Sequence, residues 1–323
     1  MAYNKYYVYK RQFSTDNGQT WEDVYPLETK PYGSPIGTYD TLAECEGLFK
    51  LLAHYSDAST YLVACDSSNE LTVETIRAHS TSFTAMINAV VGSCVSSIGE
   101  LAFFECENLR SVTIHNSVTT IGNRAFDLCK NLTNITIPNS VTTIGDSAFR
   151  LCSGLTSIDI PSSVTTIENN TFQQCYSLTD VIIPNNVTSI GQAAFYECSG
   201  ITSVSIGTSV ASIGGAAFQY CESLTAIDIP NSVTSIGEFA FSGCRSLTSL
   251  TIPSSVASID NQAFYYCSGL TSITVESTTP PTIGEDVFSL TNNCPIYVLA
   301  SSVNAYKTAT NWSSYANRIQ AIP

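Results

Sequence analysis

Three aspartates, Asp159, Asp180 and Asp228, stand in segments where apolar and polar residues alternate. Two carboxylates held about 5–10 Å apart are the equipment of glycosidic acid/base chemistry. The same side chains serve equally as a solvated acidic face, and nothing in the surrounding sequence implies a pocket that would shift either pKa. Other chemistries find less support. The chain has no glycine-rich phosphate loop, nucleophile elbow or zinc-binding helix motif. Its twelve cysteines include no CxxC pair, and its three histidines, His54, His79 and His115, are scattered. No metal site and no cofactor is therefore expected, and no catalytic residue is assigned. A second group is aromatic: Phe104, Tyr176, Tyr196, Tyr220, Tyr265 and Tyr266. Aromatic rings displayed on a rigid scaffold anchor protein or sugar surfaces, although rings in these positions also serve simply to pad an edge.

The element that positions both groups is a repeat. Phenylalanine recurs every 23 residues from Phe103 to Phe264, and a cysteine follows each one three positions later, from Cys106 to Cys267. A fixed period of this length is the signature of a solenoid, in which each coil needs its neighbours to bury its apolar edge. Within one coil, Leu132-Thr133-Asn134-Ile135-Thr136-Ile137 ends in the alternation of a half-buried strand, and Pro138 closes it. Val141-Thr142-Thr143-Ile144 reads as a second extended piece. Gly145 reads as a turn of positive φ, and Asp146–Cys152 as a short helical turn that carries Ala, Phe and Cys inward. Stacking then places every phenylalanine on the one below, in a column roughly 40 Å long for eight coils at about 4.8 Å per step. The cysteines fall into a column of free buried thiols, because an in-register ladder lacks the close Cβ approach and twisted torsion that a disulfide requires. The aspartates fall on coils three, four and six. They share the strand face with Thr113, Thr136, Ser205, Thr251 and Thr274, while the aromatics sit on the variable slots that follow the repeated phenylalanine.

The recurring Leu-x-x-Ile-x-Ile-Pro, Ala-Phe-x-x-Cys and Ser-Ile-Gly resemble the 23-residue leucine-rich repeats of bacterial BspA-like surface proteins, best known from Bacteroidetes. The resemblance covers about residues 86–299. It implies a leucine-rich horseshoe, a right-handed β-rich coil stack, and association with adhesion to host proteins and cells. Met86, Ala89, Val91, Val95 and Ile98-Gly99 fit a degenerate first coil. Ile283-Gly284 and Val287-Phe288 fit a last one, displaced by one residue. After a strand at 296–299, the spacing of Val303, Tyr306, Trp312, Tyr315 and Ile319 predicts a capping helix over 301–320 with Ser301 or Ser302 as its N-cap.

Residues 1–80 carry no repeat and are rich in tyrosine. Ser14-Thr15-Asp16-Asn17-Gly18-Gln19-Thr20-Trp21 resembles an Asp-box, here a structural hairpin. Thr41-Leu42-Ala43-Glu44 is a capping box that opens a helix bearing Cys45, Leu48, Phe49 and Leu52, and strands follow near 60–65 and 71–77. The expected organisation is a small N-terminal α+β module over 1–80, a leucine-rich solenoid over 81–299 and a C-terminal helical cap over 300–323.

Charge narrows the function. The chain carries −14, and residues 91–276 hold five basic against fourteen acidic residues. Without a basic stripe, nucleic acid is not an expected partner, and anionic membranes are disfavoured. No apolar run is long enough to span a bilayer. The first residues lack the apolar centre of a secretory signal, so either the chain is not exported by that route or a leader has been removed. The expected function is non-enzymatic adhesion to a host protein or glycan, at the cell surface or outside the cell. The alternative is a structural or receptor-binding component of a phage tail or similar particle, docked through the tyrosine-rich module. Horseshoes generally present their sheet, so the strand face is favoured slightly, with the aromatics as a flanking contact.

Overall fold

The computed structural model describes residues 86–93 and 95–323, together with the backbone of short strands between residues 6 and 71. From Asn88 onward the chain is a parallel β-solenoid. Each coil gives one strand to a principal ladder, divided into three sheets, and a two-residue strand to a second ladder, divided into two. The principal strands include Ser111–Ile114, Asn134–Thr136, Ser157–Asp159, Asp180–Ile182, Ser203–Ser205, Ala226–Asp228, Ser249–Ile252 and Ser272–Val275. Pairing is parallel, with residues 23 apart opposed: Val112 faces Ile135, and Ile158 faces Val181, which faces Val204. A slip of one residue would turn every inward Ile and Val to solvent, so the alternation itself fixes the register.

The columns expected inside the stack are present. Consecutive phenylalanine rings from Phe103 to Phe288 lie 4.9–5.8 Å apart with planes within 14° of parallel. The cysteines of the described residues are free and buried. From Cys129 to Cys267, each thiol donates to the carbonyl of the phenylalanine one coil back, at 3.0–3.3 Å. That bond explains the choice of cysteine: the slot takes a small apolar group that also satisfies a buried carbonyl.

Two local expectations need correction. The segment from Asp146 to Cys152 is not a helical turn. Ser147 and Leu151 have φ of 57° and 58°, and the same two slots are left-handed in coil after coil. Alternate amides, those of Ser147, Phe149 and Leu151, donate to the next coil at Asn169, Thr171 and Gln173, while those of Ala148, Arg150 and Cys152 close three-residue turns. A helix would direct all these amides along its own axis and leave the coil edge unpaired. Gly145, in turn, does not have positive φ; among the described glycines only Gly243 does, at 75°. Gly145 is glycine because a Cβ there would lie 2.5 Å from Asn123 Oδ1 and 2.7 Å from the Asn123 amide nitrogen.

The C-terminal end also differs from expectation. The α-helix (α1) spans only Val303–Thr308, and Ile319–Ala321 forms a strand parallel to Ile296–Val298. Ser302 makes no capping bond; its hydroxyl donates to the Thr278 carbonyl instead. Ala309, extended at ψ 148°, ends the helix, and Asn311, at φ 64°, leads into the buried Trp312. The Trp312 ring sits 5.7 Å from Phe288 and its Nε1 donates to Pro281. Hence the helix spacing of Tyr315 and Ile319 was coincidental: both residues close the aromatic column and extend the sheet by one strand.

At the other end, Thr60–Val63 pairs parallel with Asn88–Val91, and Glu70–Leu71 with Ser97–Ile98, so the ladder continues toward the N-terminus. Gln12–Phe13 and Glu22–Asp23, which flank the hairpin turn expected over residues 14–21, pair antiparallel. That turn, and the helix expected from Thr41, lie outside the described residues.

Candidate functional site

The strand face is built from in-register columns. One column runs Asp159, Ile182, Ser205 and Asp228, and the column beside it runs Ser157, Asp180, Ser203 and Ala226. Asp159 and Asp228 are therefore three strands apart, roughly 14 Å at the usual spacing. Asp180 lies diagonal to Asp159, about 7–8 Å away. All three are exposed. Ser203 and Thr179 hydroxyls hold the Asp180 carboxyl below its ordinary pKa, the opposite of what a general acid needs. Thr136 and Thr251 hold the equivalent slot in the adjoining sheets, where they pair with Thr113 and Thr274, and are likewise exposed. Ile182, 69% exposed, is a large apolar side chain on this face that sequence reading passed over.

Beside these columns runs a row of threonines whose hydroxyls point along the stack. Those of Thr133, Thr156, Thr202, Thr225, Thr248 and Thr271 each donate to the carbonyl one coil back, at 2.9–3.4 Å. Their donor capacity is spent within the fold. Asn131, Asn186 and Asn311, each two positions before a Thr or Ser, are committed too, each giving its Nδ2 to a carbonyl.

The turn edge is different. Tyr176, Tyr196 and Tyr220 come from three successive coils and occupy three different slots, so their offsets bring them together. Tyr196 and Tyr220 meet edge to face at 5.9 Å. Tyr176, Glu197, Ser199, Tyr220, Glu222 and Arg245 line a shallow depression of about 470 Å³. At its centre Glu197 accepts from Gln174 Nε2 at 2.9 Å and from Tyr176 Oη at 3.5 Å. Burial, and then the Glu197 carboxylate, raise the Tyr176 phenol. Burial first, then a hydrogen bond to Glu197, push Tyr196 up to about 12. Both phenols therefore stay protonated donors across physiological pH. Tyr220 owes its pose to Gly243, where a Cβ would stand 2.5 Å from its ring.

The remaining aromatics do not join this depression. Tyr266 lies under the Arg245 guanidinium, 4.7 Å away, and Arg245 also reaches Glu222 at 3.5 Å. Tyr265 packs at 6.4 Å from Tyr266. Phe104 is covered by Arg124 at 4.8 Å. Arg124 and Arg150 both grip the fully buried Asp127, at 2.9 and 3.0 Å. Glu197, Glu222 and Arg245 were missed by sequence reading, although they occupy the same variable slots as the tyrosines. Among the described residues no cluster of His, Cys, Asp and Glu has metal-binding form, and no helix is long and apolar enough to cross a membrane.

A sequence profile of the BspA type leucine rich repeat region, with six repeat copies, matches residues 74–202 and 188–316. The chain belongs to the BspA-type leucine-rich repeat family. No curated protein sequence matches it. Among solved structures, a leucine-rich repeat protein of T. pallidum is 27% identical, covers 62% of this chain and 88% of its own, and has a TM-score of 0.48. A leucine rich cell surface protein from Faecalibacterium prausnitzii is 22% identical over 84% of this chain and 94% of its own, with a TM-score of 0.38. The pneumococcal vaccine antigen PcpA is 20% identical over 74% of this chain and 68% of its own, with a TM-score of 0.48.

Proposed function

We propose that this leucine-rich repeat protein is a non-enzymatic adhesin that presents its tyrosine-lined turn edge to a host protein or glycan, at the cell surface or outside the cell. The observation that carries this reading is the depression lined by Tyr176, Glu197 and Tyr220, with Tyr196 set edge to face against Tyr220. Tyrosine combines a large apolar face with a polar tip and loses little entropy on contact, which makes it an effective anchor. On the strand face, by contrast, the threonine hydroxyls at the rim are already donated to the fold. The turn edge thus becomes the primary surface and the Asp159, Asp180, Asp228 face a flank, the reverse of the preference drawn from sequence.

A non-enzymatic role accords with the titratable groups. Burial raises the thiols from Cys129 to Cys267, which disarms them as nucleophiles, and the pKa of Asp180 is depressed rather than raised. The test is an array of host proteins and glycans probed with the wild-type chain and its variants. Tyr176→Ala, Tyr196→Ala and Tyr220→Ala should each weaken capture by about 1 kcal/mol or more, while Asp159→Asn and Asp228→Asn leave it unchanged. Loss of capture in the aspartate variants alone would return the site to the strand face.

A further inference from the structure

The solenoid twice builds the same small arrangement on its turn edge. Arg124 lies over the Phe104 ring and bonds Asp127; Arg245 lies over the Tyr266 ring and reaches Glu222. In both, a guanidinium is held between an aromatic face and a carboxylate. At Tyr176, Tyr196 and Tyr220 the rings and the carboxylate of Glu197 are present, but among the described residues no arginine or lysine forms an ion pair with Glu197. Its partners are the neutral Gln174 amide and the Tyr176 and Tyr196 phenols. The nearby Arg245 is engaged by Glu222 and Tyr266. The repeats are also short of cations, with five basic against fourteen acidic residues over 91–276.

Resting on the reading of this edge as the recognition surface, we propose that the depression accepts a lysine or arginine side chain of a protein partner, with Glu197 as counter-charge, the Tyr176 and Tyr220 rings as its walls and Tyr196 supporting Tyr220 from the side. A cation desolvated against an aromatic face is attracted by the ring quadrupole, and a carboxylate at the same point adds a charge-assisted hydrogen bond. Neutral donors hold Glu197 in place without neutralising it. The site is therefore organised before the cation arrives, and little rotamer entropy is lost on binding. A neutral glycan would use the same rings but would not require the charge of Glu197.

The experiment is calorimetric titration of the full chain with hexalysine and with the same hexamer acetylated on every Nε. Wild type is compared with Glu197→Gln, which preserves shape, with Tyr220→Ala, and with Asp228→Asn. The last makes the same change in charge on the strand face. Hexalysine binding should fall roughly tenfold or more in Glu197→Gln and Tyr220→Ala and less than twofold in Asp228→Asn, and the acetylated peptide should not bind. Equal losses in Glu197→Gln and Asp228→Asn would show diffuse attraction to an acidic surface and overturn the proposal, as would undetectable hexalysine binding by wild type. Array partners whose capture needs the tyrosines but is indifferent to Glu197→Gln would overturn the cation assignment while leaving the recognition surface in place. Array partners indifferent to the tyrosines as well would overturn both.

Discussion

Truncating one ring in the middle of the phenylalanine column probes how the stack is held. Phe195 is fully buried, with Phe172 and Phe218 each 5.2 Å away, at interplanar angles of 14° and 3°. Phe195→Ala removes the ring from between two parallel neighbours. Those neighbours cannot close the gap, because their backbones are pinned: the Phe172 amide donates to Ala194 and the Phe195 amide to Ala217, both at 2.8 Å. A site that cannot collapse sits in the upper part of the range for such truncations, about 4–5 kcal/mol. The lost ring–ring contacts, about 0.5–1.5 kcal/mol each, form part of that figure. Urea denaturation followed by circular dichroism reads the total. Hydrogen exchange resolves its location: solenoid energies are close to nearest-neighbour, so protection should fall first in the coils of Phe172, Phe195 and Phe218. A cost below about 1.5 kcal/mol, well short of the usual range, or exchange rising equally from residue 1 to the C-terminus, would refute this reasoning.

Further tests address single contacts. The thiols from Cys129 to Cys267 are raised from their ordinary pKa by burial, with Cys198 and Cys267 at about 12. The unfolded chain releases these protons first, so stability should be intact below the ordinary thiol pKa and should fall as pH climbs from about 9 toward 12, by up to about 1.4 kcal/mol per pH unit for each such thiol. Denaturant midpoints against pH check this, and native protein should resist thiol reagents that label it freely once unfolded. Gly214→Ala places a Cβ 2.7 Å from the Gly191 carbonyl carbon, whereas at Gly215 the nearest atom is 3.3 Å away. The first should cost about 1–3 kcal/mol and the second well under 1 kcal/mol in the same urea assay. Arg150→Met strips Asp127 of its bidentate partner from the next coil. It should destabilise by about 3 kcal/mol, more than Asp127→Asn, because Arg124 and Arg150 are themselves partly exposed and can turn to water.

The inner columns were legible because each depends on one slot repeated at a fixed step. Phe126, Cys129, Leu132 and Ile135 state their own burial by recurring. The corrections fall where structure depends on what the preceding coil presents. Gly145 is glycine because of Asn123, a neighbour 22 positions back, and not because of its own dihedral angles. The turn at Ser147 and Leu151 resembles a helix in composition, yet its amides serve the next coil. At the C-terminus a coincidence of spacing concealed a strand at Ile319. The depression is of the same kind, since Tyr176 and Glu197 lie 21 residues apart in different slots. Only the stacked geometry brings them together, so the tyrosines were visible singly and their shared carboxylate was not.

The most direct test of the recognition surface is carbene footprinting of the full chain, free and bound to the tightest partner recovered from the array. Labelling should fall at Tyr176, Tyr196, Tyr220 and Glu222 and stay unchanged at Asp159, Ile182 and Asp228. Protection confined to the strand face, or to residues 1–80, would contradict the assignment of the turn edge.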